Sequence, residues 1–271
     1  MIPIILEKQK NIRDLADTVA RDGRRIKRNK LIRCGRLSDL SAADAAILLG
    51  TYRVRTVVDL RSAKESEERP DPPWGIVTFS RIPLLSDDQM GLGAFTAAGS
   101  AQKKISVLDI LIDMTGGPSY TPQQYLQDIY RKFITTKQAQ NATRRFFELL
   151  LSQKDGALLY HCNGGKDRTG IITAFLLTAL NVTWEIIAAD YMETNVVVEP
   201  WLEQKLENLP DKYRNGQARA VLRMMYLADA GCLQTAYDEM CSLGGSPAGY
   251  LKQVIGITDA TREKLQKRLL R

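Results

Sequence analysis

The sequence predicts an α/β fold: a central, mostly parallel sheet flanked by helices, with extra helices at the C-terminal end. Three observations carry this. Two β-rich runs, RVRTVVDLRS (53–62) and ALLYHC (157–162), lie among helical patterns. The second runs directly into glycines and then an apolar helix, the strand–loop–helix order of a parallel unit. From Thr183 to Arg271 the pattern is helical throughout. One domain over residues 1–271 is expected, with 183–271 as its helical C-terminal part.

The elements follow in order. RDGRRIKRNKLIRCGRL (21–37) reads as a DG turn between basic, partly β-like segments, and SDLSAADAAILLG (38–50) as a serine-capped helix closed by glycine. Thr56-Val57-Val58 marks a buried strand. AKESEERPDPPWG reads as a charged, proline-broken connection, and IVTFSRIPLL (76–85) as the next strand. Residues 86–119 form a polar, glycine-rich loop around the apolar piece ISVLDILIDM. TPQQYLQDIYRKFI (121–134) starts with a threonine cap and a first-turn proline. ATRRFFELLLSQ (142–153) is a second helix, and residues 168–180 form the helix after the loop. Beyond Thr183, helix breaks are expected at Pro200, Pro210, Gly231 and Gly244-Gly245.

Composition narrows the function classes. Apolar residues make up 44% and charged residues 25%, a globular balance, and the formal charge of +7 favours anionic partners. The four cysteines form no CxxC pair and there is one histidine, so neither a zinc site nor a disulfide framework is expected. No cofactor is implied. IITAFLLTALNV (171–182) is well short of the roughly 20 residues that span a bilayer, and the N-terminal apolar stretch is too short for a signal segment. The basic run Arg24 to Arg36 reads as a solvated hairpin face or a contact for acidic headgroups; nothing in it resembles a nucleic-acid reader.

The chemistry concentrates in HCNGGKDRTG (161–170). A nucleotide loop would need GxxxxGK[ST]; Tyr160 stands where the first glycine should be and Asp167 follows Gly165-Lys166, so that option fails. A plain turn accounts for Cys162 alone. An anion cradle accounts for the set. Asn163, Gly164 and Gly165 let backbone N–H groups turn inward, the following helix brings its positive end, and Arg168 can fork onto two phosphate oxygens. The same field favours the Cys162 thiolate as a nucleophile at phosphorus. Thr169 is placed to hydrogen-bond the sulfur. His161, one residue earlier in the strand, points the other way and supports the loop from behind.

HCNGGKDRTG matches the HCxxGKDRTG signature of the cysteine-dependent protein tyrosine phosphatases, and the chain resembles their bacterial PtpB/LipA-type atypical branch. NIRDLADT, LIRCGRLSDL, RTVVDLRS, AADYMETN and GSPAGYLKQVIGIT also fit, so the resemblance spans nearly the whole chain. It implies a tyrosine phosphatase-like fold, Cys162 as nucleophile and Arg168 as phosphate clamp. It further implies phosphoprotein substrates with phosphoinositides as a second class, a helical lid over the site around 219–233, and export of many members as effectors. Lys166 is expected as a mobile second cation at the rim. A phosphate-binding module of the same fold that hydrolyses slowly is the alternative.

No WPD segment supplies the general acid. Asp167, fixed beside the nucleophile, is the first candidate and Asp87 the second; Ser86 stands at the nominal acid position of the resembling family. Asp59 is expected to brace the strand end or the Arg168 guanidinium.

Overall fold

The computed structural model describes residues 1–89 and 121–271. The apolar piece expected at 105–114 lies outside them. Six strands form one sheet in the order β1-β2-β3-β6-β4-β5. They are β1 (Ile2–Pro3), β2 (Ile12–Asp14), β3 (Leu31–Cys34), β4 (Val54–Asp59), β5 (Thr78–Arg81) and β6 (Ala157–His161). β1, β2 and β3 pair antiparallel, while β3–β6, β6–β4 and β4–β5 are parallel. Around the sheet lie α1 (Ala42–Ala46), α2 (Ala63–Glu68), α3 (Pro122–Thr135), α4 (Lys137–Ser152) and α5 (Asp167–Ala179). The C-terminal third adds α6 (Trp184–Glu207), α7 (Gly216–Tyr226), α8 (Ala230–Gly244), α9 (Pro247–Tyr250) and α10 (Asp259–Leu269). The α/β architecture with a mostly parallel sheet is the one the sequence predicts.

β6 sits mid-sheet and is buried along its whole length, so successive side chains fill two cores. Leu158 and Tyr160 join the larger one, with Phe133, Phe146, Phe175 and Leu233 from the surrounding helices. Ala157 and Leu159 join a smaller one with Ile12, Ile32, Leu48 and Val57. The alternation continues past the strand: Cys162 belongs to the larger core, and His161 faces the other way. Helix α5 is buried from Arg168 to Ala179, as an all-round apolar helix must be. Each of its Ile, Leu and Phe side chains contributes roughly 1.5–3 kcal/mol by leaving water. This fixes the end of α5 that meets the loop.

Four local expectations change. The first six residues of AKESEERPDPPWG form helix α2, because Ser62 and Glu65 make a reciprocal capping box. Pro200 does not break α6; it removes one hydrogen bond on an exposed stretch, where Val196 is 72% exposed. Gly231 lies in the first turn of α8, and the break falls at Leu227–Asp229, with Asp229 as cap. β5 covers only four residues of 76–85; it is an exposed edge, and Ile82, Leu84 and Leu85 turn inward after it. No helix among the described residues is long and apolar enough to cross a membrane.

Candidate active site

The C-terminal ends of parallel strands are where an open α/β sheet presents its loops. The loop from Cys162 to Lys166 joins β6 to α5 there. Its carbonyls are held one by one. The Cys162 oxygen lies 3.1 Å from His161 Nδ1, and Arg36 N donates to Asn163 O at 2.9 Å. Asn11 Nδ2 donates to Gly164 O and Arg33 Nη2 to Gly165 O, both at 2.8 Å. In a trans peptide the next N–H points opposite to the carbonyl. The N–H groups of residues 163–166 are therefore turned away from all these partners, and the free first-turn N–H groups of α5 follow. Gly165 is required twice over: its φ is +70°, and a Cβ would meet the Cys34 carbonyl at 2.7 Å.

Cys162 is 2% exposed. Arg168, in the first turn of α5, forks both Nη atoms onto Glu65 of α2, with Nη2 to Oε1 at 2.8 Å. Burial opposes the Arg168 charge, but Glu65 and the nearby Cys162 hold its pKa above the ordinary value. Burial likewise opposes the Glu65 charge, and Arg168 brings that carboxyl below its usual range. This end-on fork leaves Nε–H and the second Nη hydrogens of Arg168 for an anion. Thr169 Oγ1 is buried with no hydrogen-bond partner among the described residues, so the expected bond to sulfur is not formed here.

His161 is fully buried, with Nε2 3.0 Å from Asp71 Oδ2. Asp59 does not reach Arg168. It takes a bidentate pair from Arg61, through Nε at 2.8 Å and Nη2 at 2.9 Å, and Arg61 Nη2 also reaches Asp71 at 2.8 Å. Asp59, Asp71 and His161 bring ligand atoms within 4.8 Å of one another, a spacing that would suit a metal. The Arg61 guanidinium already fills the cation's part there, and the trio reads as an ion-pair cluster.

Lys166 is not a mobile rim cation. It is 5% exposed, and Nζ donates to the carbonyls of Met224 (3.3 Å), Met225 (2.8 Å) and Leu227 (3.1 Å) at the end of α7. The last carbonyls of a helix lack intrahelical partners and carry its negative end, which is what an ammonium seeks. Asp167 Oδ1 lies 3.4 Å from the same Nζ and accepts from Tyr130 Oη at 2.6 Å. Tyr130 Oη is 2.6 Å from Tyr191 Oη, which accepts from Asp229 N. Burial first, and the Asp167 charge next, push both phenols well above their usual pKa. Both stay protonated, so the chain runs Asp229 N–H, Tyr191, Tyr130, Asp167. Replacing Lys166 with methionine is expected to cost about 1–3 kcal/mol of stability, read as a melting-temperature drop. An unchanged melting temperature would return the amine to the mouth of the site.

A cysteine and an arginine across an N–H-lined loop, with the arginine paired to a glutamate, suggest a phosphate enzyme. The sequence comparisons agree. Residues 4–271 match the model of a tyrosine phosphatase family. The chain is 31% identical to the triple specificity protein phosphatase PtpB of Mycobacterium tuberculosis, over 96% of each chain. It is 27% identical to a tyrosine-protein phosphatase of Nostoc commune, over 87% of this chain and 71% of that one.

The chain belongs to the tyrosine phosphatase family. Within this family member the described site brings together Cys162, Lys166, Asp167, Arg168 and Thr169 on one loop and helix start. Asn163 and Gly164 are the exposed loop residues. Asp87 accepts from Ser62 Oγ at 2.7 Å beside the start of α2, and Ser62 Oγ in turn accepts from the N–H of Glu65, the partner of Arg168. Sequence reading missed Glu65, Asn11, Arg33, Asp71, Tyr130 and Tyr191. For Glu65 there was a signal, the Ser62-x-x-Glu65 capping box. For Asn11 and Arg33 only their place in NIRD and LIRC, segments already tied to the resemblance, pointed to them.

Proposed function

We propose that this chain is a phosphomonoester hydrolase with Cys162 as nucleophile, acting on phosphotyrosine in proteins and on phosphoinositides. The observation that supports it most is the loop 162–166, whose carbonyls are held outward while a buried cysteine and Arg168 flank it. The Cys162 thiolate attacks phosphorus, the P–O bond to the alcohol breaks, and the leaving oxygen takes a proton from Asp167. Water then attacks phosphorus in the phosphocysteine, and the thiolate departs with Thr169 Oγ1 turned to the sulfur. The name of the mycobacterial relative and the +7 charge support multiply anionic substrates, presented at an anionic membrane surface in the phosphoinositide case. The helical part 183–271 is proposed to cover the site, with Lys166 tying the end of α7 to the loop.

Acid quench of the enzyme during turnover, followed by mass spectrometry, tests the intermediate: a phosphoryl group should be found on Cys162. Turnover with no adduct under any quench would remove the covalent mechanism. The alternative, a phosphate-binding module that hydrolyses slowly, has one observation in its favour. Asp167 Oδ1 is committed as an acceptor to Tyr130, which leaves only Oδ2 to carry a proton. A leaving-group series separates the two. Asp167→Asn should lower kcat about 10²-fold for alkyl phosphates of high leaving-group pKa and little for nitrophenyl phosphate. If Asp87→Asn shows that pattern instead, the acid is Asp87.

A further inference from the structure

The polarity of the loop depends on groups far from it in sequence, and these lie in a buried cluster that the proposed chemistry does not use. Asn11, Arg13, Arg33 and Asp190 are 6%, 4%, 0% and 2% exposed. Arg13 Nε donates to Asp190 Oδ1 at 2.8 Å, its Nη2 to Asp190 O at 2.6 Å, and its Nη1 to Asn11 Oδ1 at 2.9 Å. Arg33 Nη1 donates to Asp190 Oδ2 and Nη2 to Gly165 O. Asn11 Nδ2 completes the set on Gly164 O. We propose that Asn11 and Arg33, oriented by Arg13 and Asp190, are positioning residues that lock the Gly164 and Gly165 carbonyls away from the phosphate and place one excess buried positive charge behind the loop.

Two physical arguments support this, both resting on the proposed phosphatase function. The first concerns backbone freedom. Glycines let the loop curl, but they also make rotation of their own peptide planes inexpensive. A flipped peptide would aim a carbonyl lone pair at the phosphate where an N–H should be, exchanging attraction for repulsion. The two external side-chain locks fall on the two glycine carbonyls. The carbonyls of Cys162 and Asn163, whose residues carry a Cβ, are met by the adjacent ring of His161 and the backbone of Arg36.

The second concerns charge. Two buried guanidiniums share one buried carboxylate, an arrangement that leaves a net cation out of water, which is costly unless compensated. Burial and the Arg33 charge hold the Arg13 pKa down against the pull of Asp190 and of the exposed Glu193. The compensating anion fits on the far side of the Gly165 peptide, where the cysteine thiolate and a phosphate dianion would stand. Loop polarity and buried charge then act in the same direction.

The test uses the full chain with inorganic phosphate as the probe and an aryl phosphate as substrate. Asn11→Asp keeps the shape and the acceptor for Arg13 but removes the donor to Gly164 O; Asn11→Ala removes the donor without adding charge. Both are expected to raise the phosphate dissociation constant of the folded protein roughly ten- to a hundredfold and to lower kcat/KM at least as much. A merely structural role would lower the melting temperature and the folded fraction while leaving that dissociation constant at its wild-type value. Wild-type affinity in a folded Asn11 variant therefore overturns the inference. Should Asn11→Asp fail to fold, Asn11→Ala decides, and Arg33→Lys, which keeps the charge but not the fork, gives the same readout at Gly165. If the wild-type protein neither binds phosphate nor hydrolyses the ester, the proposed function falls first, and the two failures are distinguished.

Discussion

Cys162→Ser is expected to remove hydrolysis of aryl phosphates, with kcat falling by roughly 10⁴-fold or more while phosphate binding persists. The size follows from what the site offers an oxygen nucleophile. Sulfur is intrinsically the stronger nucleophile, whereas a serine hydroxyl needs a general base. The nearest imidazole cannot serve: both ring nitrogens of His161 face elsewhere, to the Cys162 carbonyl and to Asp71. Binding is expected to survive because the proposed cradle consists of backbone N–H groups and Arg168, none of which the substitution touches. Steady-state kinetics with nitrophenyl phosphate and a phosphate titration of the variant measure the two halves. Activity at wild-type level would sink the mechanism.

Arg168→Lys is expected to lower kcat/KM by about 10³-fold, the scale of removing a fork-shaped donor from the charge that develops on a transferring phosphoryl group. Lysine keeps the charge but presents a point donor on a flexible stem. Arg168 also has a second partner to satisfy, since Glu65 takes one hydrogen from each Nη atom. An ammonium drawn to Glu65 would abandon the phosphate. Arg168→Ala should be worse still, because the Glu65 carboxylate, already half-enclosed, would then stand unpaired near the incoming dianion. Glu65→Gln in the Arg168→Ala background should recover part of that extra loss. Equal activities for the single and double variants would show that Glu65 acts only as a structural cap.

How much of this was legible depends on the distance along the chain over which each feature is decided. Strand β6, the glycine loop and helix α5 form one contiguous stretch, and their residue types declare strand, turn and buried helix without outside help. The same contiguity put Cys162, Arg168 and Thr169 on the page together. Helix α2 was also within reach, since its capping box is a four-residue signal; its charged composition and the prolines after it masked that signal. Pro200 misled for the opposite reason. Inside a helix a proline frees the carbonyl four residues back, and here that carbonyl belongs to Val196, 72% exposed, where water can take the missing hydrogen bond.

Lys166 is the clearest division between sequence and structure. Its neighbours in the loop suggest a cation for substrate, yet three carbonyls some 58 to 61 residues further on decide where the ammonium goes. Asn11 and Arg33 act on the loop across 153 and 132 residues, and Glu65 meets Arg168 across 103. By itself the sequence determined the fold class and the family resemblance, and it brought together Cys162 and Arg168, the proposed nucleophile and phosphate clamp, because each rests on local spacing and backbone preference. The tertiary structure decided the direction of the loop's carbonyls, the partner of the clamp and the fate of the lysine. These are set by side chains that converge only once the sheet and the C-terminal helices have packed, since burial makes an unpaired polar group costly and so favours the partners found there.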